Sequence, residues 1–349
     1  MGDAIVGVVA NPLSGRDIRR LVTQASVFPT AEKANMIVRM LTAFGAVGVQ
    51  RVLVGTDLGG ISAAVFRAVE RRGTAGTGGR WPEVEFLDGR PIRQTAQDTI
   101  DAVRRMVTAG ARVIVCLGGD GTARVAASAA GDVPMLALST GTNNVFPAVR
   151  EATVAGLAAG LVATGAVAVS GERAKVLEVR AGDRVETALV DVAVSTERHV
   201  GSRAIWDPAT VTQIFCAFAE PDAVGLSSIA GQLCPVLRTD PQGVAVRLDP
   251  GADRRVLAPI APGLVVPVGV GEVAPMECGT WYPVDAPAGV IAVDGERELA
   301  FGPGGRPAAR PVVRLRPDGP RCVDVPAVLA AGARQGLLVR DRSSREAVR

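Results

Sequence analysis

Five consecutive residues, Gly118-Gly-Asp-Gly-Thr122, put one carboxylate at the centre of a glycine-rich turn. Glycine lets a backbone come close to a ligand, and exposed amides at a helix start bind phosphate. An anionic Asp120 among such amides is poorly placed unless a metal ion, or a hydroxyl proton that it can accept, is nearby. Gly118, Gly119, Asp120, Gly121 and Thr122 together point to phosphoryl transfer. Three further runs carry groups of the right kind. Asn11-Pro-Leu-Ser-Gly-Arg16 offers Asn11, Ser14 and Gly15 to a phosphate, with charge from Arg16; the same residues also make an ordinary Ser-capped turn. Ser139-Thr-Gly-Thr-Asn-Asn144 brings Thr140, Gly141, Thr142, Asn143 and Asn144, which could bond nucleotide phosphates, ribose or adenine, or cap the next helix. Val293-Asp-Gly-Glu-Arg297 holds Asp294 and Glu296 in a strong hairpin signal.

The elements around these runs place three of them at one sheet edge. Arg112–Leu117 is apolar and β-branched, as a buried parallel strand should be, and Ala123–Ala130 is helix-compatible. Strands are expected at Ala4–Ala10, Arg51–Gly55, Val84–Leu87 and Pro134–Leu138. Helices are expected at Ala31–Phe44, Ile61–Arg71 and Gln94–Ala109. This alternation implies an open parallel sheet with helices on both faces, whose ligands bind at the strand C-terminal ends near a topological switch point. Beyond about residue 172 the pattern changes to an antiparallel β unit, with strands at Lys175–Arg180, Arg184–Ser195, Gly243–Leu248, Leu264–Val268, Gly289–Val293 and Pro311–Leu315. One helix is expected near Thr210–Ala219 and a last one at Val325–Leu338, before a charged, mobile tail at Arg340–Arg349. The expected domains are residues 1–150, an α/β nucleotide-binding unit; 151–320, a β-rich unit; and 321–349, a helix and tail.

Composition narrows the partners. Lys+Arg 38 against Asp+Glu 35 gives a formal charge of +3, and only 3% of residues are aromatic, so neither a basic footprint nor a stacking platform for nucleic acid is expected. Five cysteines without close spacing exclude a zinc motif and a disulfide framework, and read as buried thiols of a reducing cytoplasm. Residues 152–170 carry no charge and include a Gly156/Gly160 spacing. They are rich in Ala and Gly, so an amphipathic helix at Glu151–Thr164 is expected in place of a membrane span. The single histidine, His199, reads as a polar loop residue.

Taken together, the four runs resemble the superfamily of NAD kinases and diacylglycerol-type lipid kinases. Gly118–Thr122 matches its Gly-Gly-Asp-Gly-Thr signature. Asn11–Gly15 and Thr140–Phe146 are similar to loops of the lipid-kinase branch, and Asp294–Glu296 is like the Asp-Gly-Glu turn of the second domain. The fuller opening, Asn11 to Arg20 followed by Ala25-Ser-Val-Phe-Pro29, resembles the ATP-NAD kinase/AcoX group, named for acetoin-catabolism clusters. The resemblance implies a two-domain kinase using ATP, or another donor such as polyphosphate, with a divalent metal such as Mg²⁺. It implies that Asp120 orients or deprotonates the acceptor hydroxyl. It also suggests a homo-oligomer. Two departures fall on acceptor recognition. Val190-Asp191 stands where NAD kinases carry an Asn-Glu pair, and Gly225–Gly231, with Ser227 and Ser228, keeps little of their Thr-Pro-Thr-Gly-Ser run. Asp191, Ser227, Ser228, Asp294 and Glu296 are therefore candidates for an acceptor or metal site. The leading expectation is a kinase that phosphorylates NAD on a ribose hydroxyl. The alternatives are a kinase of another small hydroxylated metabolite or a lipid, and a nucleotide sensor without turnover.

Overall fold

The computed structural model describes residues 3–15, 24, 28–75, 79–88, 91–141, 144–169, 172–197, 204–205, 207–303 and 309–340. Arg16, Thr142, Asn143, His199 and the tail from residue 341 lie outside them. Strands β1 (Ile5–Ala10), β2 (Arg51–Gly55), β3 (Glu83–Leu87), β4 (Val113–Gly118) and β5 (Met135–Ser139) form one all-parallel sheet in the order β3-β2-β1-β4-β5. The order reverses between β1 and β4, so the turns after these two strands meet at the switch point. Alternate residues of β1 feed two cores. Val6 and Val8 pack with helices α1 (Thr30–Ala46) and α2 (Ile61–Ala75), while Ile5 and Val9 pack with α3 (Ala96–Thr108) and α4 (Asp120–Ala130). Helices thus cover both faces of the sheet, as its apolar strands require.

Helix α5 (Ala152–Ala163) is buried on nearly every side, where an amphipathic helix was expected. The cause is packing: α1 lies against it so closely that a Cβ at Gly156 would meet Ala43 at 2.9 Å, and one at Gly160 would meet Val47 at 2.3 Å. The small residues serve close helix contact inside the protein. Among the described residues no helix is long and apolar enough to cross a membrane.

The second half is antiparallel. Strands β6 (Val176–Ala181), β7 (Arg184–Ala188), β13 (Trp281–Pro283) and β16 (Val312–Arg316) make a four-stranded sheet in the order β13-β16-β6-β7. Strands β8 (Asp191–Ser195), β9 (Val211–Cys216), β10 (Gly243–Leu248), β11 (Arg255–Ala261), β12 (Leu264–Met276), β14 (Gly289–Val293) and β15 (Glu296–Phe301) make a seven-stranded one, β11-β12-β10-β9-β8-β14-β15. Two expectations fail here. Residues 184–195 are two strands in different sheets, because the chain turns at Leu189 and Val190, whose amides are taken by the Asp294 carboxylate. Residues 211–216 are a strand, not a helix, since pairing on both sides with β8 and β10 overrides local pattern. A short helix α6 (Ser227–Gly231) follows, and α7 (Val325–Arg334) returns to the first unit, where Val323, Val325 and Val328 join its core. The five cysteines are free; Cys116 and Cys216 are buried, whereas Cys278 is exposed, against the expectation of buried thiols throughout. Burial pushes the Cys116 thiol up to about 12, so it stays protonated at neutral pH.

Candidate active site

The turns after β1, β4 and β5 interlock through their own side chains. Asn11 Nδ2 donates to Thr122 Oγ1 at 2.9 Å, and the Ser14 and Thr140 hydroxyls lie 2.8 Å apart. Asn144 Nδ2 donates to Ser139 Oγ at 2.8 Å. The glycines make this possible. A Cβ at Gly118 would meet Thr122 at 2.4 Å, and Cβ atoms at Gly119 and Gly141 would meet the Asn144 carboxamide at 2.7 and 2.6 Å. At those three positions the space belongs to neighbouring side chains. Gly121, by contrast, faces the cleft, and its Cβ would lie 3.3 Å from Glu296 Oε1. Gly15 adopts φ +78°, which favours glycine.

Lys33 locks the first turn from behind. Its side chain is fully buried, and Nζ donates to the carbonyls of Asn11 and Ser14 at 2.9 Å each and to Pro12 at 3.4 Å. Sequence reasoning missed this residue. A signal existed: Lys33 falls in the helical register of the apolar stripe Ile37, Met40, Leu41 and Phe44, where a lysine must bury its charge and find acceptors.

Asp120 opens helix α4, yet its carboxylate turns to the next loop. Val145 N donates to both oxygens at 3.1 Å, and Phe146 N to Oδ1 at 2.8 Å. The residue is 8% exposed and does not itself line the cleft of about 1230 Å³ between the first sheet and the β unit, whose wall includes its neighbours Gly121 and Thr122. Three helices present their N-termini to this cleft. Asp57 caps the amides of Ile61 and Ser62 in α2, and a Thr95/Asp98 capping box closes α3. Helix α4 has Gly119 at its cap and, among the described residues, no side-chain cap bond, and Gly121 and Thr122 line the cleft. Its dipole and amides are therefore the ones left for an anion.

The opposite wall comes from the β14–β15 turn. Asp294 holds φ +50°, and its fully buried carboxylate accepts the amides of Leu189 (3.0 Å) and Val190 (2.8 Å). Burial pushes this carboxyl up, against the pull of Arg124 and the amides. Arg124, one turn after Asp120, reaches across to Asp294 (3.4 Å) and Glu298 (2.9 Å). Burial works against the guanidinium charge, but Asp294, Glu298 and Glu296 outweigh it and raise its pKa. Arg124 and Glu298 were also missed in sequence. Glu296 and Glu298 line the cleft, whereas Asp191, Ser227, Ser228 and Asp294 are buried and do not line it. Ser228 Oγ is spent on the carbonyls of Gly225 and Pro259.

The parallel unit with its glycine-rich turn, joined across a cleft to antiparallel sheets, has a kinase-like two-domain architecture. Residues 6–167 match the ATP-NAD kinase N-terminal domain, and residues 175–318 match the acetoin catabolism protein X C-terminal domain. The chain is 40% identical over 343 residues to acetoin catabolism protein X of Cupriavidus necator, across 96% of this chain and 94% of that protein. It belongs to the acetoin catabolism protein X family.

Proposed function

We propose that this protein is a metal-dependent kinase that transfers a phosphoryl group from ATP to a hydroxyl of NAD, forming NADP. The observation that carries the reading is the uncapped N-terminus of α4, next to Asp120 and opposite Glu296, in one large cleft. The amides of Gly121 and Thr122 would receive donor phosphates, with Asn11 fixing Thr122 and Ser14 fixing Thr140. Asp120, held at a fixed angle by two amides, would accept the hydroxyl proton of the acceptor; a carboxylate has about four acceptor sites, so amide anchoring and hydroxyl binding are compatible. Fixed amides and neutralised charge supply most of the catalysis in phosphoryl transfer.

The donor set suits a metal that arrives on ATP. Among the described residues no group of three or more His, Cys, Asp or Glu side chains could hold an ion. Mg²⁺ needs only one or two carboxylates besides nucleotide phosphates and water. Glu296, against Gly121, is the candidate ligand. The ion would neutralise charge on the transferring group.

A second reading keeps the kinase and changes the acceptor to a small hydroxylated metabolite. Val190 and Asp191, at the positions of the dinucleotide-binding pair, are buried at 1% and 5% exposure, outside the cleft lining. The test is NADP formation from Mg-ATP and NAD, with Asp120→Asn as control. NADP from the wild type alone supports the first reading. Asp120-dependent ATP hydrolysis without NADP selects the second. Neither activity, with nucleotide still bound, overturns both and leaves a sensor.

A further inference from the structure

We infer that Arg238 positions Asp120 through the backbone of Val145 and Phe146, as an ion pair relayed across one peptide group. Both N–H groups of this dipeptide point to the Asp120 carboxylate. Both of its carbonyls point to the Arg238 guanidinium: Nη2 donates to the Val145 oxygen and Nη1 to the Phe146 oxygen at 3.1 Å. The Val145 carbonyl and the Phe146 N–H belong to the same planar peptide unit and point in opposite directions. The cation therefore pulls electron density from one end of the unit that donates to the anion at the other. Hydrogen bonds to charged groups are strong, and bonds in series polarise one another.

Arg238 is itself fixed. Its guanidinium stacks 4.2 Å from the Phe218 ring centre and 5.6 Å from that of Phe146, and pairs with Glu220 at 3.2 Å. The loop that carries it is tied down by the buried Lys175, which donates to the carbonyls of Leu237 (3.1 Å) and Gln242 (2.6 Å). The relay thus runs from the β unit to the carboxylate in the first unit. Arg238 touches no reacting atom; it is a positioning residue, and its effect on turnover rests on the kinase reading.

The relay is testable without any substrate. The full chain contains 8 phenylalanines, so ¹⁵N-Phe labelling gives a short amide spectrum, with the Phe146 peak assigned by its loss in Phe146→Leu. Arg238→Met should move the Phe146 amide proton upfield, and Arg238→Lys, which keeps charge but loses the two-pronged fork, should move it part of the way. In an Asp120→Asn background the Arg238→Met shift should shrink. An unmoved Phe146 amide in folded Arg238→Met overturns the relay. So does an equal shift in both backgrounds. Where Arg238→Met does not fold, Arg238→Lys decides by the same readout. If the enzyme turns over, Arg238→Met should lower kcat by roughly 10- to 100-fold, because small displacements of a reacting group are costly. KM for ATP should change little, and no further loss should appear on Asp120→Asn. An intact relay in a protein without turnover would sink the kinase reading alone. Asp120-dependent turnover with an unmoved amide would sink the relay alone.

Discussion

Replacing Lys33 with methionine isolates the ammonium that holds the first turn. The side chain is fully buried, so methionine keeps most of its apolar volume and opens little cavity. Two good charge-assisted bonds, to Asn11 and Ser14 at 2.9 Å, are lost, with a longer one to Pro12 at 3.4 Å. Hydrogen bonds to charged groups contribute about 1.5–3 kcal/mol each, so the loss is about 3–6 kcal/mol. Part is offset because a charge no longer has to leave water on folding. A net destabilisation of about 3 kcal/mol, more than 100-fold in the folding equilibrium, is expected. Urea denaturation measures it, and Trp81, whose indole donates to Thr42 of α1 at 3.0 Å, reports on the right unit. If the proposed kinase reading holds, weaker ATP binding should accompany the loss, since Asn11 and Ser14 brace Thr122 and Thr140. An unchanged urea midpoint together with unchanged ATP affinity would refute the reasoning.

Gly119→Ala should cost about 1–3 kcal/mol through overpacking, because the new Cβ would lie 2.7 Å from Asn144 Oδ1; Asn144→Ala in the same chain should restore much of it in a thermal melt. Arg124→Met should cost about 3–5 kcal/mol, since it strands the fully buried Asp294 carboxylate; denaturation equal to wild type would count against a latch between the two units. Glu178 sets an acid limit. Burial alone would raise its carboxyl, but hydrogen bonds from Arg314, Arg316 and Arg180 bring it down to about 2. A folded value below the unfolded 4.5 means that this stability is fully present above about pH 4.5 and is lost as pH falls towards 2. The drop is at most about 3 kcal/mol, less in practice because Arg180 is half exposed. Glu178→Gln should remove this limb of the stability–pH curve, and a curve identical to wild type would dismiss the network.

Much of the first unit was legible because its signals are local. Buried parallel strands are short apolar runs, and each is followed by a turn whose glycines, asparagines and hydroxyls stand out against it. The strand expected at Arg51–Gly55 and the one at Gly243–Leu248 match to the residue. The second unit was less legible where tertiary contacts decide. The sheet change at Leu189–Val190 depends on an aspartate 104 positions from Val190, and the strand at Val211–Cys216 depends on neighbours on both sides. In the site, motif residues were visible and their braces were not. Lys33 left a trace in the helical register. Arg238 left none, because the groups through which it reaches Asp120 are backbone carbonyls, which every sequence contains.

The two Asp-Gly turns show why residue type alone does not assign chemistry. Asp120 and Asp294 do the same physical thing: each carboxylate gathers consecutive backbone amides of a distant segment, 145–146 in one case and 189–191 in the other. An ionised carboxylate is acceptor-only, so it suits that task wherever a strand end leaves N–H groups without a ladder. What separates the two is location. Asp294 is buried, its charge is answered by Arg124, and its bonds to the Leu189 and Val190 amides support the fold. Asp120 stands at the switch point of the parallel sheet and opens the helix whose next residues, Gly121 and Thr122, line the cleft. The amides that anchor it also set the angle from which it would meet a hydroxyl. On the proposed kinase reading, anchoring and reactivity would thus be consecutive consequences of one geometry, and Arg238 would act on the second only by way of the first.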